Sequence, residues 1–212
     1  MPSLPRPSKI VCIGRNYVAH AAELGNEVPS EPLIFLKPPS ALIGSGDAIV
    51  IPPDVGEVHF EGEIGVLLRH TASRVDEREA LEFVSGLVPV NDVTARTLQR
   101  KDSQWSRAKG FDTFCPVGKA TPLEEVDLDD LSVVTRVNGQ ERQRGRIQDM
   151  VFSIPFLISY VSRIMTLEPG DLLATGTPEG VGPLVPGDRV EVELTGLDIL
   201  ENPVVARGED GQ

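Results

Sequence analysis

The chain has 212 residues, 40% apolar and 25% charged, an ordinary globular composition with enough length to bury a core without disulfides. Its net charge of -12 repels phosphate backbones and argues against a nucleic-acid partner. No stretch approaches the ~18 apolar residues of a membrane span, and residues 1–9, with three prolines and no apolar run, do not read as a signal peptide, so a soluble, cytoplasmic protein with no membrane partner is expected.

In chain order, residues 10–13 predict a short strand closed by Gly14, followed by a helix-like stretch over 16–24 with Asn16 as N-cap and Gly25 as stop. Strands follow over 33–36, running into Lys37, and over 48–51. Residues 59–68 read as one long strand. Asp76 and Glu79 have capping-box spacing for a short helix reaching Leu81, and 83–90 is again strand-like. Residues 133–137 end at Asn138-Gly139, a strong hairpin signal. Ser153 caps a helix that carries Ile154, Leu157, Ile158, Val161 and Ile164 on one face. Two Pro-Gly-Asp turns each introduce a strand, over 172–174 and 189–194, the second alternating with period two. Beyond Ala206 the polar tail is expected to fray. Strands outnumber helices without strict alternation, which predicts a single α+β or mainly β domain over 1–212. Cys12 and Cys115 show no metal or redox spacing and read as buried, reduced thiols.

Within 59–68, Phe60, Ile64, Val66 and Leu68 share one strand face and Glu61 and Glu63 the other, separated by Gly62. Two readings fit. The pair is the acidic outer face of a solvated edge strand, or it converges on a hard cation if the strand bends. Asp92, just past an apolar strand, could supply a third ligand or bond its local backbone. Three carboxylates without His or Cys would suit Mg²⁺ or Mn²⁺.

His20 and Glu23, three apart on a helix, share a face and form either a solvated surface pair or an oriented acid–base pair. Lys37 and Lys109 read as surface lysines or anion contacts. The loop 175–182 after the strand 172–174 is rich in glycine and hydroxyls that could hold a carboxylate. It lacks the Gly-Lys-Ser/Thr end of a phosphate loop, which argues against nucleotide binding.

Taken in order, Gly14-Arg15-Asn16-Tyr17 with His20 and Glu23, Phe35-Leu36-Lys37-Pro38, residues 59–65, Asn91-Asp92-Val93-Thr94-Ala95-Arg96, Lys109-Gly110-Phe111-Asp112 and Thr175-Gly176-Thr177-Pro178 resemble the fumarylacetoacetate hydrolase superfamily. The likeness is to its small acylpyruvase and oxaloacetate decarboxylase type. It implies mixed β-sheets rolled into a barrel-like core with few short helices, and a homodimer. It also implies Glu61, Glu63 and Asp92 as ligands of Mg²⁺ or Mn²⁺, and His20 and Glu23 as a water-activating dyad on a lid. Lys109 is implied as a catalytic lysine, and Arg15, Lys37, Arg96, Gln99, Thr175, Gly176 and Thr177 as substrate-binding residues. The implied reaction is C–C cleavage in a small anionic 2-oxo acid through a metal-stabilised enolate, by acylpyruvate hydrolysis or oxaloacetate decarboxylation. An isomerase or tautomerase on the same scaffold, and a non-catalytic metal-binding module, are the competing expectations.

Overall fold

Apolar runs from distant parts of the chain pair into one six-stranded mixed sheet at the centre of the molecule. The computed structural model describes residues 6–23 and 28–208. The sheet runs Thr121–Pro122, Val84–Asn91, Gly62–Leu68, Leu172–Ala174, Ile10–Gly14 and Leu33–Lys37 in spatial order. Ile10–Gly14 runs parallel to Leu172–Ala174 and antiparallel to Leu33–Lys37. Gly62–Leu68 is buried along its whole length because both sheet faces are covered. On one face Ile64, Val66 and Leu173 meet Leu157, Ile158 and Val161 of the helix Ile154–Ile164 and Val133, Val192 and Leu194 of a second sheet. On the other, Cys12, Val88, Val90, Cys115 and Ala174 pack together, with both thiols buried and unpaired.

The second sheet orders Gln140–Arg146, Ser132–Val137, Arg189–Leu194, Ile199–Ala206 and Ile49–Ile51. Asn138 and Gly139 both take positive φ (53° and 76°), as a two-residue hairpin turn requires. Arg189–Leu194 alternates as its sequence does, burying Val190, Val192 and Leu194. In the helix Ile154–Ile164 the Phe156 amide donates to Ser153 Oγ (3.3 Å). Ile164 departs from its expected place on the apolar face. It is the last helical residue and is exposed, because the chain leaves in extended conformation at Met165.

Three other expectations change in detail. The single strand over 59–68 is broken at Glu61. Val58–Phe60 pairs with Gly182–Leu184 and Thr94–Ala95 in a small third sheet, while Gly62–Leu68 joins the central one. The helix expected from residue 16 begins at Val18, in Val18–Glu23, and its expected stop Gly25 lies outside the described residues. The element after Asp76 is a 3₁₀ helix, Glu77–Phe83, whose Arg78 amide donates to the Asp76 carboxylate (3.0 Å). The last strand runs to Ala206, and of the polar tail residues 209–212 lie outside the described residues.

The outcome is the α+β arrangement of mixed sheets with few short helices. Among the described residues the sheets do not close into a barrel, since the central one ends at unjoined edges, Leu33–Lys37 and Thr121–Pro122. Among these residues no helix is long and apolar enough to cross a membrane.

Candidate active site

The break at Glu61 builds the site. The Glu61 amide donates to Asn91 Oδ1 (3.0 Å), and the Asp92 amide donates to the Glu61 carbonyl (2.8 Å), so the chain changes sheets where it faces the end of Val84–Asn91. Gly62 is required here, because a Cβ would fall 1.9 Å from Thr135 Oγ1. Glu61 and Glu63 thereby turn to one place with Asp92, and one oxygen from each of the three lies within 4.8 Å of the other two. All three are buried. The solvated-edge reading of the glutamates is thus excluded. Gln143 braces the bend: its Oε1 accepts from the Gly62 amide (3.0 Å), and its Nε2 donates to Thr177 Oγ1 and to the Pro178 carbonyl (both 2.8 Å).

Three cations offset this buried charge unevenly. Lys109 Nζ donates to Glu61 Oε2 (2.7 Å) and to Asp92 Oδ2, Arg96 Nη1 lies 2.6 Å from Glu61 Oε1, and Lys37 Nζ donates to Asp92 Oδ1 (2.5 Å). Glu63 has no Lys or Arg partner among the described residues; its Oε2 accepts from the Gly176 amide (2.9 Å). The two glutamates therefore diverge. Burial works to raise the Glu61 carboxyl, but Lys109 and Arg96 overcome it and hold the group below the usual range. Burial, then the charges of Asp92 and Glu61, push the Glu63 carboxyl well above it. Burial favours the neutral form of Lys109, yet Asp92 and Glu61 outweigh it and raise its pKa, so it stays an ammonium.

The three carboxylates, Arg96 and Lys109 line a cavity of about 520 Å³. The helix Val18–Glu23 brings His20 and Glu23 to it, with His20 Nδ1 3.3 Å from Glu23 Oε2. Glu23 also accepts from the Gly180 amide (3.0 Å), which joins this helix to the glycine-rich loop. Arg15, Arg96, Gln99, Lys109 and Thr177 line the cavity as well, so the structure gathers most of the residues singled out in the sequence. Lys37, Thr175 and Gly176, expected at the substrate, stand behind the lining instead. Lys37 is consumed by Asp92 and the Val93 carbonyl (3.1 Å), Thr175 Oγ1 donates to the Ile64 carbonyl (2.8 Å), and Gly176 holds Glu63. Gly176 has φ 99°, a backbone state suited to glycine.

Sequence reasoning missed Phe35, Trp105 and Arg100, which also line the cavity. Phe35 and Trp105 meet edge to face at 5.2 Å, and Lys109 Nζ sits 4.7 Å from the Phe35 centroid. The pairing of residues this far apart has no local signature. Asn16, read as a helix cap, is a tertiary clamp: its Nδ2 donates to the carbonyls of Phe152 and Thr175, and its Oδ1 accepts from the Phe152 amide.

A mixed-sheet fold with a buried acidic trio beneath a His–Glu helix defines the class. The chain belongs to the fumarylacetoacetate hydrolase family, matching the family described as "Fumarylacetoacetate (FAA) hydrolase C-terminal" over residues 9–205. As such it is an enzyme. Among its relatives, a protein of Arabidopsis thaliana named oxaloacetate tautomerase FAHD1, mitochondrial, is 44% identical over 205 residues, spanning 94% of this chain and 92% of that protein. One of Dictyostelium discoideum named oxaloacetate decarboxylase, mitochondrial, is 44% identical over 196 residues, 90% of each. The crystal structure of fumarylpyruvate hydrolase from Pseudomonas aeruginosa in complex with Mn²⁺ and pyruvate superposes with a TM-score of 0.89 at 33% identity, over 95% of this chain and 91% of that one.

Proposed function

We propose that this chain is a divalent-metal-dependent enzyme that breaks a C–C bond in a small 2-oxo acid, by acylpyruvate hydrolysis, oxaloacetate decarboxylation or both. The observation that carries this is the buried convergence of Glu61, Glu63 and Asp92 on the cavity that His20, Glu23 and Lys109 also line. The donor set fits a hard cation: every donor is oxygen, and Glu63 lacks a cationic partner among the described residues. Mg²⁺ or Mn²⁺ would be held by these three side chains. When bound, such an ion acts as a Lewis acid towards the carboxylate and keto oxygens of a 2-oxo acid.

The remaining chemistry belongs to side chains. With His20 Nδ1 turned to Glu23, Nε2 is the atom that takes a proton from water. The water oxygen attacks the distal carbonyl of an acylpyruvate. The C–C bond then breaks, its electron pair goes to the pyruvate methyl carbon, and that carbon takes a proton. Lys109 remains charged and stabilises negative charge that develops on substrate oxygens. Phe35 and Trp105 limit water on their side of the cavity. Decarboxylation of oxaloacetate needs no attacking water, so it depends less on His20.

The proposal includes a single catalytic domain in a cytoplasmic homodimer. The unpaired thiols Cys12 and Cys115 support a reducing location, and exposed Leu33 and Leu36 on an edge strand support self-association. A second reading, tautomerisation of oxaloacetate or isomerisation of an unsaturated keto diacid, is favoured by the likeness to the Arabidopsis protein. It uses the same site with His20 moving a proton on carbon. The test is to incubate Mg²⁺- or Mn²⁺-loaded protein with acylpyruvates, oxaloacetate and heptadiene diacids and identify products by mass spectrometry. Pyruvate is expected. Isomers alone would favour the second reading, and no turnover of any of them would overturn both.

A further inference from the structure

The helix Arg96–Lys101 directs Arg96, Gln99 and Arg100 to the same cavity, because positions three and four apart share a helix face. Two of these are tied together: Arg96 Nη1 donates to Gln99 Oε1 (2.9 Å) and lies beside Glu61. Arg96 Nε and Nη2 are nonetheless buried with no hydrogen-bond partner. Arg100 is held differently. Its side chain is 66% exposed, and its ionic contact among the described residues is a 3.7 Å approach to Glu57, itself 63% exposed. Surface pairs of that kind contribute little, so Arg100 is available to an anion. Arg15 adds a third guanidinium to the lining and makes no ion pair among the described residues.

Three arginines on one cavity stand out in a chain of net charge -12. Four carboxylates (Glu23, Glu61, Glu63, Asp92) and four cations (Arg15, Arg96, Arg100, Lys109) line it, and just outside the lining Lys37 on Asp92 and Glu57 beside Arg100 add one charge of each sign. A divalent ion on the carboxylates therefore leaves a formal excess of two positive charges. A monocarboxylate cancels half of that excess and a dicarboxylate all of it. Because Glu61, Glu63 and Asp92 are buried while Arg100 is exposed, the second carboxylate belongs at the solvent side, away from the end of the substrate that meets the ion.

We propose that Arg100, together with Arg15, recognises a second carboxylate and makes the site selective for dicarboxylic 2-oxo acids over those whose far end is neutral. This rests on the keto-acid reading above. The test is calorimetric titration of the Mg²⁺-loaded protein with malate and with lactate, 2-hydroxy acids that differ by that carboxylate. Malate is expected to bind at least about 10-fold more tightly, the size of one charge-assisted contact. Arg100→Gln should lower the malate-over-lactate ratio by about 10-fold, and Arg100→Lys should restore part of it. Equal binding of the two acids, or a ratio unchanged in Arg100→Gln, would overturn the proposal. Product analysis on the same preparations separates the two claims. Pyruvate release without any malate preference defeats the arginine assignment alone. An Arg100-dependent preference without turnover supports it and defeats the catalytic reading.

Discussion

Replacing Glu63 by Gln should move stability and function in opposite directions. Unit charges 4.8 Å apart interact by about 3.5 kcal/mol at an effective dielectric of 20. In the metal-free protein Glu63 faces two carboxylates at or within that distance, and Lys109, which acts on it less than either of them, offsets only part of their effect, so a net repulsion on the order of one such pair remains. Gln keeps the shape and can still accept from the Gly176 amide, so Glu63→Gln should stabilise chelator-treated protein by about 1–3 kcal/mol in urea unfolding. The pH dependence has a definite sign. A carboxyl whose folded pKa is raised contributes no penalty below its unfolded value, near ~4.3, and an increasing one as pH rises from there through the folded pKa. The gain from Glu63→Gln should therefore be absent in acid and grow with pH. With Mg²⁺ or Mn²⁺ added, the wild type should gain melting temperature and Glu63→Gln should not, and its pyruvate release should fall at least ~10³-fold. A destabilised metal-free variant, or one that keeps the metal-induced shift, would refute the reasoning.

Three further outcomes follow from the geometry. His20→Ala should slow acylpyruvate hydrolysis by about 10²–10⁴-fold and oxaloacetate decarboxylation much less; full hydrolytic activity would remove the dyad from the mechanism. Gly62→Ala should destabilise by about 1–3 kcal/mol through the clash with Thr135 Oγ1, and adding Thr135→Ala should recover part of the loss in urea unfolding. Asp171 lies buried and accepts from Ser8 Oγ, the amides of Lys9 and Glu168, and Lys9 Nζ; burial works to raise its pKa, but these donors lower it. Asp171→Asn should cost about 2–4 kcal/mol at pH 7, a difference present above the unfolded pKa of ~3.9 that closes as pH falls through the lower folded value, as acid unfolding curves would show.

Local pattern was enough for the elements whose causes are local. Asn138-Gly139 specifies its hairpin because few other dipeptides accept two positive φ angles, and Ser153 and Asp76 begin their helices by accepting nearby amides. The alternation in 189–194 reports a half-buried strand. By contrast, the strand over 59–68 reads as continuous because side-chain period cannot register a change of sheet. The break at Glu61 depends on Asn91, 30 residues from Glu61, and on Gln143, 81 residues from Gly62.

The candidate site divides in the same way. Its acidic residues, His20, Glu23 and Lys109 can be picked out from residue type, order and family likeness. What each is paired with cannot. Lys37 and Arg96 looked equivalent as substrate contacts, yet one is locked behind Asp92 and the other faces the cavity with unpartnered nitrogens. By itself the sequence determined the inventory of charge and the short-range turns and caps. Tertiary structure alone decided which carboxylate keeps a cation, which arginine stays free, and that Glu63 has no cationic partner among the described residues, because burial and charge pairing are set by segments that meet only when the sheets pack.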